Sequence, residues 1–206
     1  MELIDGSINK LLENINAREK NLEDGILTYL IKTEAILEDW INLEFCNQID
    51  KTIQKEGKGY SVYPAQKINN TKFDLIVYGG DEGIRYILEV KPMVNWFSPY
   101  EQIDNIIDDI DRLKELETPN GCEKIILVFA VFAIPKEETL EKNYLKWMKR
   151  RIAESPNRSI KENYHKKLTE RLRMIRKLDL KNLSSKGFQN EVFQNLVLNV
   201  FYSKVD

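Results

Sequence analysis

Histidine and cysteine are scarce in this 206-residue chain, which has one histidine, His165, and two cysteines, Cys46 and Cys122. These three residues cannot form a zinc site of the usual Cys/His kind, and a single histidine excludes catalytic centres that need a histidine pair. Because the two cysteines lie far apart in sequence, we expect them to be reduced thiols of a cytoplasmic protein. His165 lies among lysines and arginines, so we interpret it as a surface residue.

Long apolar runs and phosphate-binding glycine motifs are also missing. No run of eighteen apolar residues occurs, which argues against a transmembrane helix and a membrane partner. Charged residues are spread over positions 1–20, so this segment lacks the apolar core of a signal peptide. The G-x-x-x-x-G-K-[ST] pattern is absent, which argues against a P-loop nucleotide hydrolase.

Net charge is only −2, but its distribution is uneven. Positions 141–187 hold fifteen lysines or arginines against five acidic residues, a net charge of +10, so the rest of the chain carries −12. This asymmetry indicates either a segment that binds a polyanion or a solvated helical face. The candidate nucleic-acid-binding residues in it are Lys146, Lys149, Arg150, Arg151, Lys166, Lys167, Arg171 and Arg173.

The pattern along the chain predicts an α/β protein. A helical pattern spans about 22–48, and strands follow at about 60–67, 72–78 and 84–91. A capping box at 98–101 begins the next helix, whose predicted buried face is Ile103, Ile106, Ile107, Ile110 and Leu113. The run 124–132 predicts a strand buried on both faces. Basic helices follow from about 137, and 196–202 indicates a possible final strand.

Three charged residues interrupt two apolar strands, which a glycine-rich loop at 79–83 joins into a predicted hairpin. If Gly79 and Ile84 flank a four-residue loop, Asp74 lies directly opposite Glu89, with Cβ atoms about 5 Å apart. Two carboxylates at that distance need a shared proton or a cation between them. Lys91 shares the face of Glu89. A two-residue register shift would instead pair Asp74 with Lys91 in an ordinary salt bridge.

Glu34 is a further candidate, because it falls in the apolar stripe formed by Leu30, Leu37 and Ile41. The glutamate either reaches the edge of the core or adds a third carboxylate to the site. Glu38 lies one turn further along and is the alternative helix carboxylate. Carboxylates and an ammonium on one face are typical of metal-assisted phosphodiester hydrolysis.

This order of elements, with Asp74 and Glu89-Val90-Lys91 on the second and third strands, resembles the PD-(D/E)XK nuclease superfamily. The resemblance covers about 22–134, and Phe73 stands where the family name has proline. It implies a restriction-endonuclease-like core of order αβββαβ, a mixed sheet flanked by helices, over 1–136. Residues 137–206 would form a basic C-terminal helical extension with the possible final strand, packed on the same domain.

The resemblance also implies roles for individual residues. Asp74, Glu89 and the Val90 carbonyl would hold Mg²⁺ or Mn²⁺, and Glu34 would bind a metal-bound water or a second metal. Lys91 would orient or help deprotonate the attacking water and stabilise the phosphate. Gln102 matches a position where many members have a polar active-site residue.

We therefore expect a divalent-metal-dependent endonuclease that cleaves DNA, and the family often acts as a homodimer. Two alternatives remain open at this stage. One is a catalytically silent protein of the same fold that binds nucleic acid or assembles with a partner. The other is an RNA-processing nuclease.

Overall fold

A computed structural model describes residues 2–21, 25, 30, 37–94, 99–136, 139, 160–188 and 193–206. The helices with described bounds are α1 (Glu2–Asn21), α2 (Leu37–Glu56), α3 (Pro99–Glu115) and α4 (Ile160–Lys177). The strands are β1 (Ser61–Ile68), β2 (Thr71–Tyr78), β3 (Ile84–Val94), β4 (Glu123–Pro135), β5 (Lys181–Phe188) and β6 (Phe193–Val205). A single 3₁₀ turn, Gly80–Glu82, joins β2 to β3.

The described strands form one six-stranded mixed sheet in the order β1-β2-β3-β4-β6-β5. Only β3 and β4 run parallel, and every other neighbouring pair is antiparallel. Helices cover both faces, so the predicted α/β class with a mixed sheet flanked by helices is confirmed. None of the described helices combines the length and apolar character needed to cross a bilayer.

Two apolar cores lie on opposite faces of the sheet. One joins α1 and α2 to the sheet through residues such as Leu11, Phe45 and Leu88. The other joins α3 and α4 through residues such as Ile106 and Ile175. Strand β4 supplies both cores, since alternate residues of its apolar run face opposite ways. The prediction that this strand is buried on both faces is confirmed.

Helix α2 extends further than the sequence analysis predicted. The helical pattern was expected to end at about residue 48, but the helix continues to Glu56. Ile41, Phe45, Ile49 and Ile53 recur every four residues and are all buried, so the apolar stripe carries the helix onward. The helix stops at Gly57, whose φ of +64° suits the left-handed residue that commonly ends a helix.

The prediction that Ile107 belongs to the buried face of α3 is wrong. Its side chain is exposed, whereas Ile103, Ile106 and Leu113 are buried. Asp109 takes an inward position in the same stretch and is only 6% exposed. The helix is therefore rotated so that a carboxylate, rather than Ile107, faces the sheet.

The last apolar run of the chain forms β6, which pairs with β4 over most of its length. Strand β6 also pairs with β5, so both strands complete the sheet that the earlier strands begin. Strand β5 was not predicted because it contains lysines, asparagine, serines and glycine rather than an apolar alternation.

Candidate active site

The site is built where β2 and β3 separate. Their described pairing couples Leu75 with Leu88, Ile76 with Ile87 and Val77 with Tyr86, and Tyr78 pairs with Ile84 across a one-residue irregularity. The first three pairs have the offset that the sequence predicted. Continued by one residue, that offset brings Asp74 opposite Glu89. The alternative register, in which Asp74 faces Lys91, does not occur.

Beyond this point, backbone amides of β3 that face β2 donate their hydrogen bonds to side chains rather than to the backbone of β2. The Val90 amide donates to Asp74 Oδ2 at 2.8 Å. Further along, the Val94 amide donates to Gln102 Oε1 at 3.1 Å, and Gln102 Nε2 donates to the Val94 carbonyl at 3.3 Å. Pro92 lies between them on the same edge, where no backbone donor is needed. The strand therefore continues through Pro92 to Val94, and the expectation that it ends at Lys91 is wrong.

Glu89 is almost fully buried, with 1% of its surface exposed. Burial raises its pKa from 4.5 to about 9, and the hydrogen bond and negative charge of Asp74, with the charge of Asp109, act in the same direction. Arg112 opposes this shift of the pKa. The two facing carboxyl groups therefore share a proton in the absence of a metal ion.

Lys91 lies between two acidic side chains from different helices. Its Nζ is 3.2 Å from Glu38 Oε1 on α2 and 3.1 Å from Asp109 Oδ2 on α3. Burial disfavours the ammonium, but Asp109 and Glu38 together outweigh burial and raise the pKa of Lys91 above its ordinary value. Lys91 is therefore a hydrogen-bond donor at neutral pH rather than a proton acceptor.

Asp109 and Arg112 belong to this cluster although the sequence analysis did not select them. Arg112 donates a hydrogen bond to Glu89 Oε1, and the same nitrogen lies 2.7 Å from Asp109 Oδ1. The guanidinium also lies over the ring of Phe73, 5.6 Å from its centroid. Both residues resemble the surface charges around them in sequence. The available signal was the position of Asp109, three residues after Ile106 on the buried stripe.

A polar cleft of about 300 Å³ opens beside these groups. Its volume is at the lower end of the range for small-molecule sites. The cleft is lined by Glu38, Lys91, Pro92, Gln102, Asn105, Asp108, Asp109 and Arg112. A phosphate group entering it would meet the ammonium of Lys91 and the guanidinium of Arg112.

The structure thus brings Asp74, Glu89, Val90 and Lys91 together, with Gln102 along the cleft. Glu34 lies outside the described residues, and Glu38 is the α2 carboxylate that reaches Lys91. Four predicted nucleic-acid-binding residues also lie outside them: Lys146, Lys149, Arg150 and Arg151. Lys166 and Arg173 are exposed on α4, which also carries Lys167 and Arg171.

The donor set fits an open Mg²⁺ site better than a closed one. Among the residues that the structure describes, no three His, Cys, Asp or Glu side chains are grouped to enclose a metal ion. Asp74 and Glu89 remain as a pair of hard oxygen donors. The Val90 carbonyl lies on the same edge of β3 as the Val90 amide, which is bonded to Asp74. Mg²⁺ in proteins is commonly held by one or two carboxylates, with water and substrate phosphate as the remaining ligands.

Comparison of the chain with protein-family models, curated proteins and solved structures finds no match.

Proposed function

We propose that this protein is a divalent-metal-dependent endonuclease that hydrolyses DNA phosphodiester bonds, with a restriction-endonuclease-like core. The observation that carries the proposal is the convergence of Asp74, Glu89 and Lys91 where β2 and β3 separate. A buried carboxyl pair costs stability unless a proton or cation compensates it. A binding site for Mg²⁺ or Mn²⁺ gives that arrangement a chemical use.

Asp74, Glu89 and the Val90 carbonyl would hold the ion in this proposal. When bound, the ion would supply Lewis acidity and charge neutralisation to the scissile phosphate. During hydrolysis a water oxygen would bond to phosphorus and give up a proton to solvent, the bond from phosphorus to the leaving sugar oxygen would break, and that oxygen would take up a proton. The protein side chains orient the phosphate for this displacement.

Lys91 is the residue that would contact the phosphate. Its ammonium has three N–H donors; one donates to Glu38, and the charge forms an ion pair with Asp109. A remaining donor is available to a phosphate oxygen and would stabilise the charge that develops there. Because Glu38 and Asp109 favour the charged form, we assign Lys91 to charge stabilisation rather than to deprotonation of water. Glu38 and Asp109 are positioning residues for Lys91.

Arg112 would have two states in this mechanism. Without a metal ion its guanidinium donates a hydrogen bond to Glu89 and forms an ion pair with Asp109. If Glu89 held a divalent cation, Arg112 would lose this hydrogen bond, and its guanidinium, which lines the cleft, would be available to a phosphate there. Arginine is well suited to bind phosphate through two hydrogen bonds.

DNA as the substrate rests on the basic residues of the chain. The exposed side chains of Lys166 and Arg173 lie on α4, which packs on the same face of the sheet as α3. Positions 137–206 would be the basic extension that contacts the DNA backbone, mainly through phosphate. A homodimer would place two such sites on the two strands of a duplex.

Nicking of supercoiled plasmid in Mg²⁺ or Mn²⁺ tests the proposal, with Lys91→Met as the diagnostic variant. Methionine keeps much of the aliphatic stem but removes the donors, so we expect a loss of about 100-fold or more in rate. Lys72→Met is the matched control, because Lys72 is exposed on the neighbouring strand. Equal nicking by the parent and Lys91→Met would contradict the mechanism.

The pairing of Arg112 with Glu89 also favours a second candidate, a catalytically silent protein that binds nucleic acid. A proton and a guanidinium already compensate Glu89, so the cluster is stable without a metal ion. This candidate would be supported if the parent protein retarded DNA in a gel and neither the parent nor Lys91→Met cleaved it. Faster cleavage of RNA than of DNA in a competition assay would instead support an RNA-processing nuclease.

A further inference from the structure

A second cleft lies away from the carboxylate cluster, between α4 and the β4-β6-β5 part of the sheet. It encloses about 480 Å³, within the range of sites that bind small organic ligands. None of its lining residues lines the first cleft. They are Phe132, Leu172, Arg176, Leu180, Asn182, Val197, Asn199 and Phe201.

The strand register explains why space remains here. Val197, Asn199 and Phe201 alternate along β6 and therefore face the same side of the sheet. Asn199 pairs across the strands with Ala130, whose short side chain leaves the floor of the cleft open next to the amide. Phe132 pairs with Val197 and extends the apolar floor. Leu172 and Arg176, one helical turn apart on α4, lie above it.

The polar groups of this cleft are not used within the described part of the chain. Asn199 is 8% exposed, and its side-chain amide has no hydrogen-bond partner among the described residues. The exposed guanidinium of Arg176 has no carboxylate partner within the same residues, and Asn182 is at the rim. Asn199 is not among the described residues with enclosed polar atoms that lack a partner, so its amide opens into the cleft, where a ligand can hydrogen-bond to it.

We propose that this cleft binds a nucleotide unit, with the base on the apolar floor against Asn199 and the phosphate at Arg176. A primary amide presents a donor and an acceptor side by side, which matches the edge of adenine. Phe132 and Phe201 supply an apolar surface for a flat ring. Arg176, at the exposed end, is the cationic partner that a phosphate requires. This site is independent of the proposed nuclease activity.

Two sources can supply that chemistry: a free mononucleotide and a nucleotide within a single strand. Calorimetric titration of the full-length protein with adenosine 5′-monophosphate, in EDTA to exclude divalent metal, tests the first. A short oligo(dA) titrated in the same buffer tests the second. Binding of the mononucleotide alone identifies a free nucleotide, and binding of the oligonucleotide alone identifies a strand. Binding of neither probe overturns the proposal.

Two variants test the assignment of the polar groups. Asn199→Leu keeps the side-chain size and removes the amide, so we expect binding of the recognised probe to weaken about tenfold or more. Arg176→Gln, on the helix surface, should weaken binding of the phosphate-bearing ligand by a similar factor. Adenosine, which has no phosphate, should bind weakly even to the parent protein. Arg176→Gln tests the proposal even if Asn199→Leu does not fold.

Lys177→Gln is the matched control, because Lys177 is exposed on the same helix and does not line the cleft. We expect it to leave the affinity unchanged. An equal loss in Lys177→Gln and Arg176→Gln would reveal non-specific attraction of phosphate to a basic helix and overturn the site. Unchanged affinity in Asn199→Leu would overturn it as well.

Discussion

Arg112 on α3 donates a hydrogen bond to Glu89 on β3, although twenty-three positions separate the two residues in sequence. The same guanidinium pairs with Asp109, which in turn pairs with Lys91. A divalent cation that bound Glu89 would therefore have to compete with Arg112 for its carboxylate.

Replacing Arg112 by glutamine should therefore have opposite effects on stability and on metal binding. We expect the metal-free protein to lose about 1–2 kcal/mol of unfolding free energy, since the guanidinium is partly exposed. Mg²⁺ should bind about tenfold more tightly, because a charge-assisted hydrogen bond no longer competes. Urea unfolding and calorimetry measure the two quantities.

Lys114→Gln is the control for this variant, because Lys114 forms an exposed pair with Asp111 on the same helix. Its unfolding free energy should change by less than about 0.5 kcal/mol. If Arg112→Gln binds Mg²⁺ no better than the parent, the guanidinium and the ion do not compete for Glu89.

Metal affinity should increase with pH. Glu89, with a pKa of about 9, must lose its proton before it can bind a cation. The dissociation constant of Mg²⁺ should therefore fall by up to about tenfold per pH unit between pH 6 and 9, then level off. Calorimetry in two buffers of different ionisation enthalpy would detect about one released proton. Glu38→Gln should retain this release, because Glu38 does not contribute to the pKa shift of Glu89. An affinity independent of pH would mean that Glu89 is already ionised or is not a ligand.

The same carboxyl group should make the metal-free protein less stable as pH rises. The pKa of Glu89 is higher in the folded protein than its ordinary value, so its stabilising contribution is fully present below about pH 4.5. That contribution is lost progressively as pH rises to about 9, at up to about 1.4 kcal/mol per unit. Glu89→Gln does not titrate, so relative to the parent it should become more stable between pH 6 and 9 in EDTA. A constant difference in unfolding free energy would show that Glu89 is already ionised in the folded protein in this range.

Gln102 should matter for stability through the backbone of Val94. Gln102→Ala removes the acceptor of the Val94 amide and the donor to the Val94 carbonyl, so we expect a loss of about 1–3 kcal/mol and faster hydrogen exchange at the Val94 amide. Asn105→Ala, at an exposed position lining the same cleft, should change stability by less than about 0.5 kcal/mol. If Gln102→Ala is as stable as Asn105→Ala, water replaces the amide and Gln102 is free for substrate.

Removal of two exposed charges from α4 should weaken DNA binding in a salt-dependent way. If Lys166 and Arg173 both contact phosphate, the double glutamine variant should lower the slope of log affinity against log salt by about 2. Lys10 and Lys51, exposed on α1 and α2, provide the matched control on the other side of the sheet. Equal slopes for the two double variants would exclude α4 as the phosphate-contacting face.

Local patterns predicted the β2–β3 hairpin well. The glycine loop constrains the register, because the length and geometry of a hairpin turn decide which residues of the two strands face each other. Glu89 and Lys91 could therefore be assigned to a common face before any tertiary contact was known. The mixed sheet was expected from the resemblance to the PD-(D/E)XK superfamily.

The partners supplied by distant helices were not predictable in the same way. Asp109 and Arg112 reach the cluster only because α3 packs with Asp109 inward, and their local sequence does not distinguish them from solvated charges. The sequence also left open whether Glu34 or Glu38 is the helix carboxylate at the site, and the contact of Glu38 with Lys91 depends on how α2 packs against the sheet. Strand β5 is held by its pairing with β6. Its own sequence has no apolar alternation, so nothing local indicated a strand there.

The position of β6 has a consequence for how the molecule acquires its structure. β5 precedes β6 in sequence, yet among the described strands its only neighbour is β6. It therefore joins the sheet only when β6 lies beside β4. During synthesis on the ribosome the long apolar margin of β4 thus stays open until the segment 193–205 has emerged. Shortening the chain at residue 192 would remove β6 and leave β5 without its partner in the sheet. The unpaired edge of β4 would then be exposed and prone to aggregation.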